Sequence, residues 1–462
     1  MTAEILKSAL EPVVLTGAAH RAEPFSGLSI DSRTIRPGEI FFAIVGEKND
    51  GHDYVLGAFG RGAAAAVINH SRLEMFKDDV PGLIFAVDDT HEALLNLAAY
   101  IRRRTDASFA AVTGSNGKTT TKEMFYTIVS HRHTVYRSPG NLNNLYGLPI
   151  ALGRMPEGVP YAIFELGISV PGEMTRLAGV IKPELAIITN VGPTHLETLK
   201  TIDNVVKAKF ELIDQLPVGA VVLLNADDPL LMTEAKRRKL YFIGFGIENE
   251  CQFRASEVRI DRKSGLSFRI DGGQITAPLF GRVNVYNALA AIAASSVWGC
   301  DINDWHSGLS GFRAVDMRLE LEEFAGLYLI IDCYNANPGS VTSTLRSLRD
   351  FDVPGRKIAV LGDMLELGDA SGDFHYQIGR EAAGVPVDTL LCLGPESTMT
   401  ARGAVDAGMP GDAVFHFTNH QALLDTLLGL IARGDLVLCK GSRGMELEKI
   451  IIGVKGSAFK NN

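Results

Sequence analysis

The feature that most constrains the fold is a regular alternation of short apolar runs with helical stretches between residues 107 and 313. The apolar runs are SFAAVTG, YAIFELG, ELAIITNVG, AVVLLNADD and LYFIGFG, and the first is followed by the helical stretch KTTTKEMFYTIVS. Short apolar strands that alternate with helices are typical of a mainly parallel sheet covered by helices on both faces. The segment FGRVNVYNALAAIAASSVWG predicts a late helix of the same domain.

The alternation restarts near residue 314, with the apolar runs LYLIID, KIAVLG, DTLLCLG and DLVLCKG. Residues 1–106 instead mix strand-like runs such as GEIFFAIVG, AAAVI and LIFAV with helical stretches, and they end in the helix EALLNLAAYIRRR. A length of 462 residues suits about three domains. We therefore predict three α/β domains, at 1–106, 107–313 and 314–462.

Composition excludes several classes of function. A net charge of −9 argues against nucleic acid as the main partner, because duplex binding requires a basic surface. No apolar run is long enough to span a membrane, and the start MTAEILKSALEP lacks the regions of a secretory signal. We expect a cytosolic protein and, because no dimerisation stripe stands out, a monomer. The five cysteines form no Cys-x-x-Cys pair and are expected to be reduced core residues: Cys251, Cys300, Cys333, Cys392 and Cys439.

The stretch TGSNGKTTTKEM (113–124) carries a phosphate-binding signal between a predicted strand and a predicted helix. Gly114 and Gly117 allow a tight turn beside a phosphate, Lys118 supplies positive charge, and the helix N-terminus offers free N–H groups. Thr119 adds a hydroxyl that is able to ligate Mg²⁺. Val112 stands where the longer nucleotide-hydrolase motif has its first glycine, so the pattern is G-x-x-G-K-T. The strand-to-helix context favours a nucleotide site over an ordinary turn.

Polar residues collect after the predicted strands of both α/β units, which predicts a site between two domains, since ligands bind at this edge of open sheets. Glu165 ends the run YAIF and is a candidate metal ligand, with a helix cap or a surface acid as the alternative. His195, in NVGPTHLE, is a candidate ligand of a second metal, although a lone loop histidine is more often solvated. Lys207 and Lys209 lie in NVVKAKFELID, where surface lysines with buried stems are the default.

Together these motifs resemble the Mur ligase family, the ATP-dependent ligases of bacterial peptidoglycan synthesis. The resemblance implies an N-terminal domain for a UDP-sugar substrate, a central P-loop ATPase domain and a C-terminal Rossmann-like domain that closes over the nucleotide. The matching segments span nearly the whole chain: DSRTIRPGEIFFAIVGEKNDGHDY (31–54), TGSNGKTTTKEM, GNLNN (140–144), ELG (165–167), KAKFELI (207–213), GRVNVYNALAA (281–291), MRLE (317–320), DCYNANP (332–338), GDMLELG (362–368) and KGSRG (440–444).

The resemblance also implies roles for individual residues, carried over by position. Thr119 and Glu165 would hold a first Mg²⁺ and His195 a second. Lys209, which matches a lysine that family members carbamylate with CO₂, would be a further metal ligand. Lys118 would hold the β- and γ-phosphates of ATP. The implied ATP-binding residues are Gly114, Ser115, Asn116, Gly117, Lys118, Thr119, Thr120, Asn284, Asn287, Arg318, Asp332, Asn335 and Asn337. The implied substrate-binding residues are Ser32, Arg33, Asn49 and His52 for the UDP segment, Asn141, Asn143 and Asn144 for substrate position, and Lys440, Ser442 and Arg443 for the incoming dipeptide.

GNLNN, D-x-YNANP and GDM-x-ELG resemble the version found in family members that add D-alanyl-D-alanine to UDP-N-acetylmuramoyl-tripeptide. The implied reaction activates the tripeptide carboxylate with ATP as an acyl phosphate, which the dipeptide amine then attacks. One alternative is a sister ligase that adds a different amino acid. Another is a nucleotide-binding regulatory module, whose mark would be the loss of Lys118, Glu165 or His195. Taken singly, DSR and DGHD indicate turns, NANP a turn or helix N-cap, and KGSR a strand-to-helix cap with solvated charges.

Overall fold

A computed structural model describes residues 3–11, 14–16, 24–76 and 80–457 of the chain. The described residues form three successive α/β units, each built on its own sheet, and this architecture confirms the predicted fold class. The parts of the predicted first and third domains at 1–2, 12–13, 17–23, 77–79 and 458–462 lie outside the described residues. The boundaries at 106 and 313 fall between secondary-structure elements and stay predictions.

The N-terminal unit is a five-stranded sheet with three helices. Its elements are α1 (Ala3–Leu10), β1 (Val14–Thr16), β2 (Gly27–Ser29), β3 (Glu39–Phe42), α2 (Val55–Gly60), β4 (Ala65–Asn69), β5 (Leu83–Val87) and α3 (Thr90–Arg103). The strand order is β1-β5-β4-β3-β2, with β1 antiparallel to β5 and the other neighbours parallel. Asp89 caps α3 by accepting hydrogen bonds from the backbone N–H groups of His91 and Glu92.

The central unit is a seven-stranded parallel sheet with helices on both faces. Its strands are β6 (Ser108–Thr113), β7 (Val135–Arg137), β8 (Tyr161–Glu165), β9 (Leu185–Ile188), β10 (Val221–Asn225), β11 (Ile243–Gly246) and β12 (Phe253–Arg254). Its helices are α4 (Lys118–Ser130), α5 (Gly147–Gly153), α6 (Glu173–Ile181), α7 (Leu196–Leu199), α8 (Ile202–Asp214), α9 (Pro229–Arg238), α10 (Val283–Val297) and α11 (Ile302–Ser310). The order β12-β11-β10-β9-β6-β8-β7 places β6, which feeds the phosphate loop, between β9 and β8. The carboxyl ends of these three strands therefore meet at one edge of the sheet.

A small antiparallel sheet extends the central unit before α10. It consists of β13 (Ser256–Asp261), β14 (Gly265–Ile270) and β15 (Gly273–Ala277). This sheet is absent from the sequence-based prediction, because β13 contains no buried residue and alternates between exposed and half-buried positions, so it lacks an apolar run.

The C-terminal unit is a six-stranded sheet of the doubly wound kind. Its elements are β16 (Glu320–Phe324), β17 (Leu327–Asp332), α12 (Pro338–Ser347), β18 (Lys357–Gly362), α13 (Ser371–Ala383), β19 (Thr389–Leu393), α14 (Ser397–Asp406), β20 (Val414–Phe417), α15 (His420–Leu430), β21 (Leu436–Lys440) and α16 (Glu448–Ser457). The order is β16-β17-β21-β18-β19-β20, parallel except for β16. Phe280 of the central unit packs edge-on against Phe351 of this unit, with ring centroids 4.9 Å apart.

Most elements predicted from the sequence are present where they were expected. KTTTKEMFYTIVS forms α4 residue for residue, and the predicted late helix is α10. All five cysteines are free; four are buried and Cys251 is half-buried. Burial raises the pKa of the Cys333 thiol to about 11, so it stays protonated at neutral pH. None of the helices in the described parts of the chain has the length and apolar character needed to cross a bilayer.

Candidate active site

The phosphate loop is shaped by two glycines in the left-handed region of backbone space. Gly114 has φ = 146° and Gly117 has φ = 81°. A Cβ atom at Gly114 would lie 1.9 Å from Thr189 Oγ1, and one at Gly117 would lie 2.2 Å from Asn287 Oδ1. Backbone conformation and close packing thus both require glycine here. Gly117 also precedes α4 without a side-chain cap, so the first turn of that helix keeps N–H groups for an anion.

The loop after β9 holds the phosphate loop in place. The side-chain amide of Asn190 donates to the Asn116 carbonyl at 3.0 Å, and its Oδ1 accepts from the Asn116 N–H at 2.9 Å. The Gly192 N–H donates to Ser115 Oγ at 2.9 Å. The polar stretch that follows β9 therefore fixes the conformation of the phosphate loop through hydrogen bonds.

A hydroxyl and a carboxylate meet at the start of α4. Thr119 Oγ1 donates to Glu165 Oε2 at 2.8 Å, and Glu165 is 2% exposed. Lys118 Nζ lies 2.9 Å from the Gly114 carbonyl. Burial lowers the pKa of Lys118, the negative charge of Glu165 opposes this shift, and the positive charge of Arg318 adds to it. Lys118 and Arg318 are thus close enough to repel each other, and an anion bound between them would relieve this repulsion.

Residues 138–146, which we call the amide loop, reach the same carboxylate from the other side. Asn143 Nδ2 donates to Glu165 Oε1 at 2.7 Å, and the Gly167 N–H donates to the Asn143 carbonyl at 2.9 Å. Asn144 Oδ1 accepts from the Gly147 N–H at 2.8 Å and so starts α5. The amide loop therefore fixes the second oxygen of Glu165.

Lys209 lies on α8 and is 3% exposed, so the default of a surface lysine does not hold. Burial lowers its pKa well below the ordinary value, and the positive charge of Lys118 adds to this shift. No carboxylate of the described residues pairs with it. Its amine is therefore readily deprotonated, whereas the neighbouring Lys207 is exposed, as the sequence suggested.

His195 faces the C-terminal unit. Its Nδ1 lies 2.5 Å from Glu366 Oε2, and the Glu197 N–H donates to the Glu366 carbonyl at 3.1 Å. His195 lowers the pKa of Glu366. Both His195 and Glu366 have positive φ, at 54° and 64°. The GDMLELG motif thus contributes a carboxylate that the sequence analysis did not assign, although the motif itself was recognised.

The C-terminal unit brings a buried ion pair to the same region. Lys440 Nζ lies 2.6 Å from Asp332 Oδ2, with the two side chains 2% and 14% exposed. Thr344 Oγ1 donates to the same oxygen at 2.7 Å. Arg318 stacks on Tyr334, with its guanidinium carbon 4.0 Å from the ring centroid, and its Nε is buried without a hydrogen-bond partner among the described residues. A donor of this kind suits a phosphate group.

Asn116 and Asn337 form a reciprocal amide pair between the phosphate loop and the C-terminal unit. Asn337 Nδ2 donates to Asn116 Oδ1 at 2.6 Å, and Asn116 Nδ2 donates to Asn337 Oδ1 at 3.2 Å. Asn337 is also the N-cap of α12, since its Oδ1 accepts from the Ser340 N–H at 2.9 Å. The Asn337 side chain therefore both caps the N-terminus of α12 and joins the C-terminal unit to the central unit.

We expect Asn337→Ala to lower the free energy of unfolding by about 1–2 kcal/mol, because a cap and a buried amide pair are lost. It should also raise the KM for ATP, since the C-terminal unit loses its hold on the phosphate loop. Asn419→Ala is the matched control, because Asn419 caps α15 by accepting from the Ala422 N–H without contacting the central unit. Urea titration and steady-state kinetics check both effects; an equal rise in KM in the control would contradict the interpretation.

These groups line one cavity of about 540 Å³ between the central and C-terminal units, which we call the interdomain cleft. The N-terminal ends of α4 and α12 both contribute residues to it. Of the residues predicted from the sequence, it brings together Ser115, Asn116, Gly117, Lys118, Thr119, Thr120, Asn143, Asn144, Glu165, His195, Lys209, Asn284, Asn287, Arg318, Asp332, Asn335 and Lys440. Residues lining the cleft that the sequence analysis did not assign include Asn190, Tyr334, Gly339, Ser340, Ser343 and Thr344.

Several predicted site residues lie outside the walls of the interdomain cleft. Asn337 does not line it but hydrogen-bonds Asn116 and Ser340, which do. Asn284 and Asn287 line it and also hydrogen-bond to each other at 3.0 Å. Ser442 is buried and accepts from the Leu365 N–H at 2.9 Å. Arg443 pairs with Glu448 at 3.0 Å, and Asn141 is exposed. The roles given to these residues from the resemblance stay predictions.

A second cavity, of about 520 Å³, lies in the N-terminal unit and is lined by Ser32, Arg33, Asn49, Tyr54 and Tyr146 among others. Tyr146 comes from the amide loop of the central unit. His52 does not line this cavity: it is 2% exposed, its Nδ1 lies 2.5 Å from Asp50 Oδ1, and its Nε2 accepts from the Asn69 N–H. Both ring nitrogens are thus occupied, which fits a supporting role for His52 and leaves its predicted substrate contact a prediction.

The donors around Thr119 and Glu165 suit Mg²⁺, which prefers hard oxygen ligands and is commonly bound through one or two carboxylates together with substrate phosphates. In the described ranges there is no group of three or more His, Cys, Asp and Glu side chains arranged as a metal site. The hydroxyl of Thr119 and the carboxylate of Glu165, side by side at the phosphate loop, are oxygen donors that fit an ion bound together with a phosphate.

Comparison with known proteins matches the chain to three family models. They are described as the Mur ligase family catalytic domain at 24–102, the Mur ligase middle domain at 112–295 and the Mur ligase glutamate ligase domain at 317–443. The chain belongs to the Mur ligase family.

The chain is also similar to individual members of this family, in sequence and in structure. The UDP-N-acetylmuramoyl-tripeptide–D-alanyl-D-alanine ligase of Bacillus subtilis is 35% identical over 429 residues, which is 92% of each chain. MurF from Acinetobacter baumannii superposes with a TM-score of 0.88 at 27% identity, covering 99% of both chains. MurF ligase from Thermotoga maritima, solved in complex with ADP, has a TM-score of 0.80 at 26% identity over 93% of this chain and 97% of that one.

Proposed function

We propose that the chain is an ATP-dependent ligase that joins D-alanyl-D-alanine to UDP-N-acetylmuramoyl-tripeptide, giving UDP-N-acetylmuramoyl-pentapeptide, ADP and phosphate. The similarity to relatives that carry this name over nearly their whole length supports the assignment. The observation that carries it is the interdomain cleft, where a phosphate loop, a buried carboxylate and a deprotonatable lysine meet cationic groups of a second unit. We further propose that the protein acts as a monomer in the bacterial cytoplasm.

The reaction has two steps. An oxygen of the tripeptide carboxylate attacks the γ-phosphorus of ATP, so that a P–O bond forms, ADP leaves and an acyl phosphate results. The dipeptide amine then attacks the acyl carbon, loses a proton and displaces inorganic phosphate. Activation is required because a free carboxylate is a poor electrophile. Since water would hydrolyse an acyl phosphate, a cleft closed between two units protects the intermediate.

The residues of the cleft have distinct tasks in this reaction. Lys118 and Arg318 stabilise negative charge on the transferring phosphoryl group, as positioned cations do in phosphoryl transfer. Mg²⁺ held by Thr119 and Glu165, and a second ion near His195, would neutralise further phosphate charge. Asn143 orients Glu165, and Asp332 fixes the Lys440 ammonium beside the cleft. We propose that Tyr146 and the other residues of the N-terminal cavity bind the UDP end of the substrate.

The function is tested by phosphate release from the purified protein given ATP, Mg²⁺, bicarbonate, the UDP-linked tripeptide and D-alanyl-D-alanine. Each component is omitted in turn, and the product is weighed by mass spectrometry. Release that requires both peptide substrates, with the mass of the pentapeptide product, is the expected result. Release without the dipeptide, or a product with one added residue, would indicate a sister ligase. A nucleotide-binding protein without release would indicate a regulatory module.

Lys209 is proposed to react with CO₂ to form a carbamate, in which an N–C bond forms and a proton leaves. Its lowered pKa supports this, because the nucleophile is the neutral amine. We expect protein freed of CO₂ to lose most of its activity and to regain it when bicarbonate is added. Lys209→Ala should not respond to bicarbonate, whereas Lys207→Ala, on the exposed face of the same helix, should behave as wild type. Carbon-13 NMR with labelled CO₂ detects the carbamate directly, and its absence in the active protein would refute the proposal.

A further inference from the structure

Lys122, one turn after the phosphate loop on α4, is a fully buried lysine that the proposed reaction does not use. Its Nζ donates to the Ser138 carbonyl at 2.8 Å and to the Gly140 carbonyl at 3.0 Å. Two carboxylates flank the same ammonium: Glu123 Oε1 at 3.2 Å and Glu165 Oε2 at 3.9 Å. A lysine at 0% exposure is costly unless each of its donors is matched, so these contacts explain how it is tolerated.

The two carbonyls bound by Lys122 belong to the start of the amide loop. Ser138 is also tied to β8, because its N–H donates to the Ile163 carbonyl at 2.9 Å and its Oγ accepts from the Glu165 N–H at 3.2 Å. The loop then turns and delivers Asn143 to Glu165 Oε1. A single ammonium therefore links the phosphate-loop helix to the segment that orients Glu165.

We propose that Lys122 is a positioning residue that holds the amide loop against α4, so that Asn143 and Glu165 keep the geometry in which Glu165 binds a magnesium nucleotide. This inference rests on the proposed nucleotide function of the interdomain cleft, and it adds a residue to which no role has been given. Lys122 does not touch the nucleotide itself; it acts through Asn143 and the charge of Glu165.

An ammonium suits this task better than a neutral side chain. It has three donors that point in different directions, so it binds two carbonyls of the amide loop and still faces a carboxylate. Its positive charge lies 3.9 Å from Glu165 Oε2 and so compensates for the burial of that carboxylate. A methionine of similar length would fill the space but would leave both carbonyls without donors.

The test compares Lys122→Met with wild type by three readouts. Hydrogen exchange should increase in residues 138–146, because the amide loop loses two hydrogen bonds. Calorimetric binding of MgADP should weaken about 10–100-fold, the loss typical of removing a group that orients a metal ligand, whereas ADP without Mg²⁺ should bind unchanged. In kinetics the KM for MgATP should rise more than kcat falls. Loss of ADP affinity irrespective of Mg²⁺ would mean general damage and would overturn the proposal.

Arg137→Met is the matched control, since Arg137 pairs with Glu123 at 2.8 Å in the same charge cluster, whereas its side chain forms no hydrogen bond or ion pair with the described residues 138–146. It should leave MgADP binding and loop exchange as in wild type. A double-mutant cycle with Asn143→Ala adds a sharper criterion. If Lys122 acts through Asn143, the losses in MgADP affinity are less than additive. Fully additive losses would show that Lys122 acts independently of Asn143 and would overturn the proposal.

If Lys122→Met does not fold, Lys122→Arg keeps the charge while its planar fork replaces the three separate donors. Faster exchange in residues 138–146 together with weaker MgADP binding would support the proposal, and wild-type values for both would overturn it. These binding assays need no peptide substrate. Failure of the proposed ligase reaction would appear in wild-type product analysis, whereas failure of the Lys122 inference would appear in the nucleotide binding and the loop exchange of the variants.

Discussion

We expect the Lys118→Met variant to release phosphate about 10³-fold more slowly than wild type while unfolding at the same temperature or a higher one. The rate falls because a positioned cation at the transferring phosphoryl group is lost. Stability does not fall, because burial of Lys118 lowers its pKa, which means that the folded chain disfavours the charged form.

A stopped assay measures the rate of phosphate release, and a thermal melt measures the unfolding temperature. Lys207→Met serves as the control, since it removes an exposed lysine of the same unit. A loss of less than about tenfold in rate would contradict the role given to Lys118, because removal of one electrostatic stabiliser usually costs 10²–10³-fold.

Asp332→Ala should lower the free energy of unfolding by about 3–5 kcal/mol, because it leaves the Lys440 ammonium buried without a counter-ion. The Lys440 side chain is 2% exposed, and it bonds Asp332 at 2.6 Å across the parallel pair β17 and β21. Activity should fall as well, since both side chains line the interdomain cleft.

The double variant Asp332→Ala/Lys440→Met should regain most of the lost stability without regaining activity, since a buried pair replaced by apolar groups is often neutral. Glu446→Ala is the comparison for an exposed pair: Glu446 contacts Lys449, and its loss should change stability by less than about 1 kcal/mol. Urea titrations of the three variants measure these differences. A double variant as unstable as the single one would show that the burial of Lys440 is not the cause.

The sequence predicts those parts of the site that depend on local pattern. A glycine loop between an apolar strand and a helix defines α4 and the phosphate loop, and parallel order then brings Glu165 and His195 to the same sheet edge. The outcome for Lys209 differs from the expected surface position because Lys207 and Lys209, two positions apart, lie on opposite sides of α8, and only packing against neighbouring elements decides which side is buried.

The other parts of the site depend on contacts between residues that are far apart in the sequence. The bond between Lys440 and Asp332 joins residues 108 positions apart, and that between His195 and Glu366 joins residues 171 positions apart. In both pairs, the sequence around one residue does not indicate which residue it will contact. The side chains of His52 and Ser442 point into the protein because of contacts made by their loops. The turn-like sequences of these loops predict where a turn occurs but not which of its side chains faces a ligand.

The amide loop supplies residues to both cavities, and this has a consequence for ligand design. Asn144 lines the interdomain cleft and Tyr146 lines the N-terminal cavity, and two residues of extended chain span at most about 7 Å. The walls of the two cavities therefore adjoin at the amide loop, and a tether that joins a fragment in one cavity to a fragment in the other would pass there. Joined fragments bind with the advantage of a high effective concentration, which exceeds either separate affinity by about 10²–10⁴-fold when the tether fits.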